Sequence, residues 1–134
     1  MYLKLLSIII PVYNERETIE EVIRRVLEVN LSLDRELIIL DGNSTDGTRE
    51  YLQSLEDPRI RVIFEENRRG KGAAVRLGYD HATGDMIIIQ DGDLELDPAE
   101  FPKLLAPILE GEAQAVYGTR FAYGRGATPF GSYM

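Results

Sequence analysis

The stretch that decides the fold is Leu5-Leu6-Ser7-Ile8-Ile9-Ile10-Pro11-Val12-Tyr13-Asn14-Glu15, together with Ile19 to Glu28 that follows it. Leu5 to Ile10 is a short apolar run containing β-branched residues, the pattern of a buried strand. Ile19, Val22, Ile23, Val26 and Leu27 then recur at helical spacing, while Glu20, Glu21, Arg24, Arg25 and Glu28 occupy the opposite face. Thr18 with Glu21, or Asn14 with Glu17, fits a capping box at the start of this helix.

The same alternation continues outward. Glu36 to Leu40, Ile60 to Phe64 and Met86 to Gln90 read as further strands, and Ala113 to Tyr117 as a weaker fifth. Between them, Thr48 to Leu55 and Gly72 to Ala82 read as helices, and Pro98 opens another with Phe101, Leu104, Leu105, Ile108 and Leu109 on one face. The tail from Gly118 has no period and reads as loop. Repeated strand–helix alternation predicts an α/β sandwich, helices on both faces of a mostly parallel central sheet.

Composition bounds what such a domain does. The chain has 134 residues, 44% hydrophobic and 28% charged, which fits a single domain over 1–134. It has no cysteine, so disulfides, thiolate zinc sites and thiol nucleophiles are excluded. Fifteen Lys and Arg against 23 Asp and Glu give a net charge of −8, which argues against nucleic acid as a partner. Apolar runs stay far below the ~20 residues of a spanning helix, and the start lacks a signal peptide's pattern. The expected compartment is cytoplasmic, either free or at the cytoplasmic face of a membrane.

In an open parallel sheet, ligands bind beyond the carboxyl ends of the strands. Four polar clusters fall there: Pro11 to Glu15, Asp41 to Thr48, Asn67 to Gly72, and Asp91 to Glu95. Asp91 and Asp93 leave a strand two residues apart, so both carboxylates can face one side, with Gly92 between them. Two hard oxygen donors suit Mg²⁺ or Mn²⁺ when phosphate and water complete the shell; Glu95 is a third ligand or a nearby base. The bland alternative is an acidic loop ahead of the helix at Pro98.

Asp41 has two readings as well. It accepts a base N–H or a ribose hydroxyl, or it forms an Asx turn with Asn43 and Ser44. Tyr13 either flanks a base or is an amphipathic rim residue. Arg68, Arg69 and Lys71 among Gly70 and Gly72 hold a phosphate at a helix start or form a solvated basic turn, and no Walker pattern is present. Arg120 follows the fifth strand and approaches the same edge, with a surface salt bridge as its alternative. His81, the only histidine, lacks a partner at ligand spacing and receives no chemistry.

Taken in order, Ser7 to Glu15, Asp41 to Thr48, Arg69 to Ala74, Ala82 to Asp85, Asp91 to Glu95 and Gly118-Thr119-Arg120 resemble family 2 glycosyltransferases with the GT-A nucleotide-sugar fold. Within the family the chain is similar to dolichol-phosphate mannosyltransferase and related polyprenyl-phosphate glycosyltransferases. That resemblance implies a nucleoside-diphosphate sugar donor, GDP- or UDP-hexose, held by Pro11, Tyr13, Glu15, Ile39, Asp41 and Lys71. It implies Mg²⁺ or Mn²⁺ on Asp91 and Asp93 with Glu95 nearby, backbone contact at Gly92, and a donor-contacting Arg120. Asp93 and Arg120 would be the catalytic pair.

The implied reaction is inverting transfer of mannose or glucose to a polyprenyl, dolichyl-type phosphate. Other family outcomes are a saccharide or other hydroxyl acceptor, or donor binding without transfer. Two departures stand out. Gly42 and Asn43 occupy places where the family pattern has a second Asp and a Gly. The family also continues past the arginine motif through an acceptor region and often membrane-associated helices, so 134 residues are expected to be its donor-binding part.

Rival classes fit less well. A phosphoacceptor receiver domain needs an acidic pair after strand one, an Asp after strand three and a Lys after strand five, where this chain has Tyr13-Asn14-Glu15, Glu65-Glu66 and Arg120. A sugar nucleotidyltransferase needs a Gly-rich loop directly after strand one, and Pro11-Val12-Tyr13-Asn14 is not one.

Overall fold

The computed structural model describes residues 5–93, 97–109 and 120–122. Its elements run β1 (Leu5–Val12), α1 (Ile19–Glu28), β2 (Asp34–Asp41), α2 (Thr48–Gln53), β3 (Ile60–Phe64), α3 (Lys71–His81), β4 (Met86–Ile89), a 3₁₀ turn (Pro98–Glu100), α4 (Phe101–Leu109) and β5 (Arg120–Ala122). One sheet has the order β3-β2-β1-β4-β5. Strands β1 to β4 are parallel, and β5 pairs antiparallel with β4.

The continuous apolar runs are explained by burial on both faces. Leu6, Ile8 and Ile10 of β1, with Leu37 and Ile39 of β2 and Ile88 of β4, pack with α1 residues Ile19, Val22, Ile23 and Val26 and with Phe101 and Leu105 of α4. The alternate residues Ile9, Ile38, Leu40, Ile87 and Ile89 pack with Ala74 and Val75 of α3. Each fully buried large aliphatic side chain contributes about 1.5–3 kcal/mol, so these two layers dominate the stability. Helix α3 comes close to the sheet at Gly78: a Cβ there would lie 2.6 Å from Cγ2 of Ile9. The small-residue character of α3 therefore serves packing.

The tail departs from the sequence expectation. Residues 120–122, read as loop, add a strand to the edge of β4, where backbone pairing can form without an apolar period. The strand expected over 113–117 lies outside the described residues. The capping box also does not form: Thr18 is the N-cap of α1 but makes no side-chain cap bond. Its hydroxyl instead donates to the Gly92 carbonyl at 2.7 Å, 74 residues away in sequence. Among the described residues no helix is long and apolar enough to cross a membrane.

Candidate active site

Parallel strands with a common direction bring the ends of β1, β2, β3 and β4 to one edge, where a cleft of about 280 Å³ opens. Its walls are Pro11, Val12, Tyr13 and Glu15 after β1, Gly42 after β2, Glu65, Arg68, Gly70, Lys71 and Ala74 around β3 and α3, and Asp91, Gly92 and Asp93 after β4. Four polar clusters far apart in sequence thus share one space.

The loops after β1 and β2 are stitched together. Gly42 N donates to Val12 O at 2.9 Å, and Asn14 N to Ser44 Oγ at 2.8 Å. Thr45 N returns to Asn14 Oδ1 at 2.8 Å, Glu15 N donates to Thr48 Oγ1 at 3.1 Å, and Arg16 N to Asp46 Oδ2 at 3.1 Å. Asn14 and Asn43 both have positive φ, 52° and 69°. Asparagine tolerates this left-handed region because its short polar side chain can bond locally. Asn43 therefore makes the bend at the place where the family pattern has glycine.

The acidic end of the cleft holds Glu15, Asp91 and Asp93. Burial pushes the Glu15 carboxyl upward, and the neighbouring charges of Asp93, Asp46 and Asp91 add to the shift against a hydrogen bond from Thr18. Lys71, at the first position of α3, forms an ion pair with Asp91. Gly92 lies close under this group, since a Cβ there would approach Glu15 Cγ at 3.2 Å and Pro11 O at 3.4 Å. Asp91 and Asp93 are paired hard oxygen donors in a locally negative cleft, which fits a small divalent cation. No group of three or more candidate metal ligands occurs among the described residues.

Two expected nucleotide contacts are placed differently. Asp41 and Ile39 are both fully buried, and neither lines the cleft. The Asp41 carboxylate accepts Ser44 N at 3.2 Å and Ser44 Oγ at 2.6 Å, the Asx-turn reading, and also Nη1 of Arg49 at 3.2 Å. Ile39 belongs to the apolar core beside α1. Pro11, Tyr13, Glu15, Lys71, Asp91, Gly92 and Asp93 do line the cleft. Arg120 pairs through its backbone with Ile89, two residues before Asp91. Glu95 lies outside the described residues.

Three contributors were not expected at the site from the sequence. Thr18 fastens the Asp91–Asp93 loop through Gly92. Arg49 ties β2 to β3 by bonding Asp41, Asn43 Oδ1 at 3.0 Å and Glu65 O at 3.1 Å, with its guanidinium 4.9 Å from the centroid of the Phe64 ring. Glu65 is only 8% exposed, and burial raises its carboxyl above the ordinary range. Its position one residue beyond β3, on the shared edge, was the available signal.

A mostly parallel sheet with a carboxylate pair and a lysine at its carboxyl edge is a ligand-binding α/β domain. The chain belongs to glycosyl transferase family 2, whose family model matches residues 7–133. It is 36% identical over 119 residues to dolichol-phosphate mannosyltransferase of Pyrococcus furiosus, covering 88% of this chain and 34% of that protein. It is also 36% identical over 115 residues to undecaprenyl-phosphate 4-deoxy-4-formamido-L-arabinose transferase of Salmonella choleraesuis, covering 81% of this chain and 35% of that one. The chain thus spans about a third of the length of these relatives.

Among solved structures it resembles the mannosyltransferase PcManGT of Pyrobaculum calidifontis in complex with GDP-Man and Mn²⁺, at TM-score 0.60 and 34% identity over 69% of this chain and 28% of that one. It also resembles glucosyl-3-phosphoglycerate synthase of Mycobacterium tuberculosis in complex with Mn²⁺, UDP and glucosyl-3-phosphoglycerate, at TM-score 0.67 and 32% identity over 81% and 41%.

Proposed function

We propose that residues 1–134 form the donor-binding domain of an inverting glycosyltransferase that moves a hexose from a nucleoside-diphosphate sugar to a polyprenyl phosphate. The observation that carries this reading is the meeting of Asp91, Asp93, Glu15 and Lys71 in one cleft. The relatives' polyprenyl-phosphate acceptors and the Mn²⁺ and nucleotide complexes of the structural neighbours support it.

Asp91 and Asp93 would hold Mg²⁺ or Mn²⁺, which when bound supplies Lewis-acid stabilisation of the charge on the leaving diphosphate. Lys71 adds a second positive group at the same place, and Arg120, whose backbone reaches this edge beside Ile89, is the candidate for a third. Tyr13 and Pro11 flank the nucleoside end of the cleft. An acceptor phosphate oxygen forms the new bond to the anomeric carbon as its bond to the diphosphate oxygen breaks, which inverts that centre. A phosphate acceptor is already ionised at neutral pH, so this step needs no general base. The cytoplasmic face of a membrane is where such an acceptor would be met.

The test is calorimetric titration of GDP and UDP, with and without Mn²⁺, on wild type and Asp93→Ala. We expect Mn²⁺-dependent binding that falls at least about tenfold in the variant, the loss of a charge-assisted contact of 1.4 kcal/mol or more. Metal-independent binding that the substitution leaves unchanged would sink the donor site. Hexose transfer to a polyprenyl phosphate by the full-length protein separates this reading from transfer to a hydroxyl acceptor.

A further inference from the structure

Glu65 is a buried carboxylate with no assigned task. It forms part of the cleft wall, yet its Oε1 has no hydrogen-bond partner among the described residues. Leaving a buried acceptor unmade is costly, about 1–3 kcal/mol and more for charged groups. Its backbone, by contrast, is fixed on both sides: Glu65 N donates to Asp41 O at 2.9 Å, and Glu65 O accepts Arg49 Nη1 at 3.1 Å. The backbone is therefore fixed at the end of β3, and the side chain lies in the cleft wall with a buried, unpartnered Oε1.

The surroundings suit a flat heterocycle. Tyr13 is the one exposed large hydrophobic residue among those described, at 37%. The Arg68 guanidinium covers its ring, 4.2 Å from the centroid, and is itself an exposed side chain free to be replaced there by another π system. Gly42 leaves the floor between them without a side chain; a Cβ would meet Arg68 Cγ at 3.5 Å and Tyr13 Cδ1 at 3.6 Å. The other carboxylate at this end, Asp41, is fully buried and already engaged by Ser44 and Arg49.

We propose that Glu65 reads the donor base and selects guanine: its carboxylate accepts from the ring N1–H and the exocyclic amino group of a base seated against Tyr13. A carboxylate offers acceptors only. Guanine presents two adjacent donors on one edge, which match it. Uracil presents a single N–H between two carbonyl oxygens, which repel it. The inference rests on the donor-cleft reading above and adds an acceptor at the end of β3 to the nucleoside end of the cleft.

The test is titration of GDP, IDP and UDP, each with Mn²⁺, against wild type, Glu65→Gln and Glu65→Ala, with circular dichroism confirming that each variant is folded. Wild type should prefer GDP to UDP by at least about tenfold, and GDP to IDP, which lacks the amino group, by about fivefold. Glu65→Gln keeps the shape of the side chain but replaces one acceptor by a donor, so it should cut the GDP/UDP ratio about tenfold, through weaker GDP binding and stronger UDP binding. A wild-type preference for UDP, or a GDP/UDP ratio unchanged in both variants, overturns the base-reading role and leaves the donor cleft standing. A wild type that binds none of the three overturns both.

Discussion

Glu36, near the start of its strand, and Glu65, just past the end of its own, are satisfied in opposite ways. At the edge where the strands begin, Glu36 accepts from Ser7 Oγ at 2.5 Å, from Thr83 N at 2.7 Å and from Thr83 Oγ1 at 3.1 Å, while Gly84 N donates to Ser7 Oγ at 2.8 Å. Burial alone would push Glu36 up, but the hydrogen bonds from Ser7 and Thr83 outweigh it and hold the carboxyl below its ordinary value. At the edge where the strands end, burial raises Glu65 and Glu15, and for Glu15 the charges of Asp93, Asp46 and Asp91 raise it further. A closed hydrogen-bond network belongs to the frame. An open one, with acceptors left for something that is not protein, belongs to the site.

The largest test of this contrast uses the two glycines. At Gly84 a Cβ would lie 2.5 Å from Ser7 Oγ, 2.8 Å from Leu5 O and 2.9 Å from Ser7 N, so backbone as well as side chain would have to shift. Gly84→Ala is expected to cost about 3 kcal/mol in urea denaturation. Gly92→Ala meets its neighbours only at 3.2–3.4 Å and should cost about 1 kcal/mol or less. Equal costs would mean that the two edges are packed alike.

The carboxylates give the second test. Glu36→Gln should lose about 1–3 kcal/mol at pH 7, whereas Glu65→Gln should gain about 0.5–1 kcal/mol by removing a buried charge whose Oε1 has no hydrogen-bond partner, a gain offset in part by losing the attraction to Arg69. Their pH dependences have opposite signs. Glu36 is held below 4.5 in the folded state, so its contribution is complete above 4.5 and disappears as pH falls through the lowered value. Glu65 is raised above 4.5, so the folded state keeps its proton more tightly. Its favourable contribution is complete below 4.5 and is lost as pH rises through the raised value. Denaturant midpoints of both variants and wild type between pH 3 and about 8 would show the two slopes; slopes of one sign would break the comparison.

The smallest effect concerns the link between α1 and the Asp91–Asp93 loop. Thr18→Val removes the hydroxyl that bonds Gly92 O and should cost about 1 kcal/mol. Faster amide hydrogen exchange at residues 91–93, with exchange in β2 unchanged, would show that Thr18 acts on that loop. Uniform change across the sheet would assign it a general packing role.

Much of this was legible in the chain itself. The period of Ile19, Val22, Ile23 and Val26 sets α1, and the apolar runs of β1, β2 and β4 require burial on two sides. Because parallel strands share a direction, the sequence alone puts Asp91, Asp93, Lys71, Glu15 and Tyr13 at one edge. Side-chain partners were less legible. Thr18 carries the signature of a capping residue, yet its hydroxyl finds Gly92 across the fold. Asp41 ends its strand like a ligand-reading residue, yet Ser44 and Arg49 enclose it.

The sequence by itself determined the layers, the shared edge and the family, because periodicity and strand direction are local properties that survive without knowledge of contacts. Only the tertiary structure decided which carboxylates at that edge are closed and which remain open. Whether an acceptor finds a donor depends on residues the fold brings up to it: Arg49, eight positions on, for Asp41, Thr83, 47 positions on, for Glu36, and none among the described residues for Glu65 Oε1.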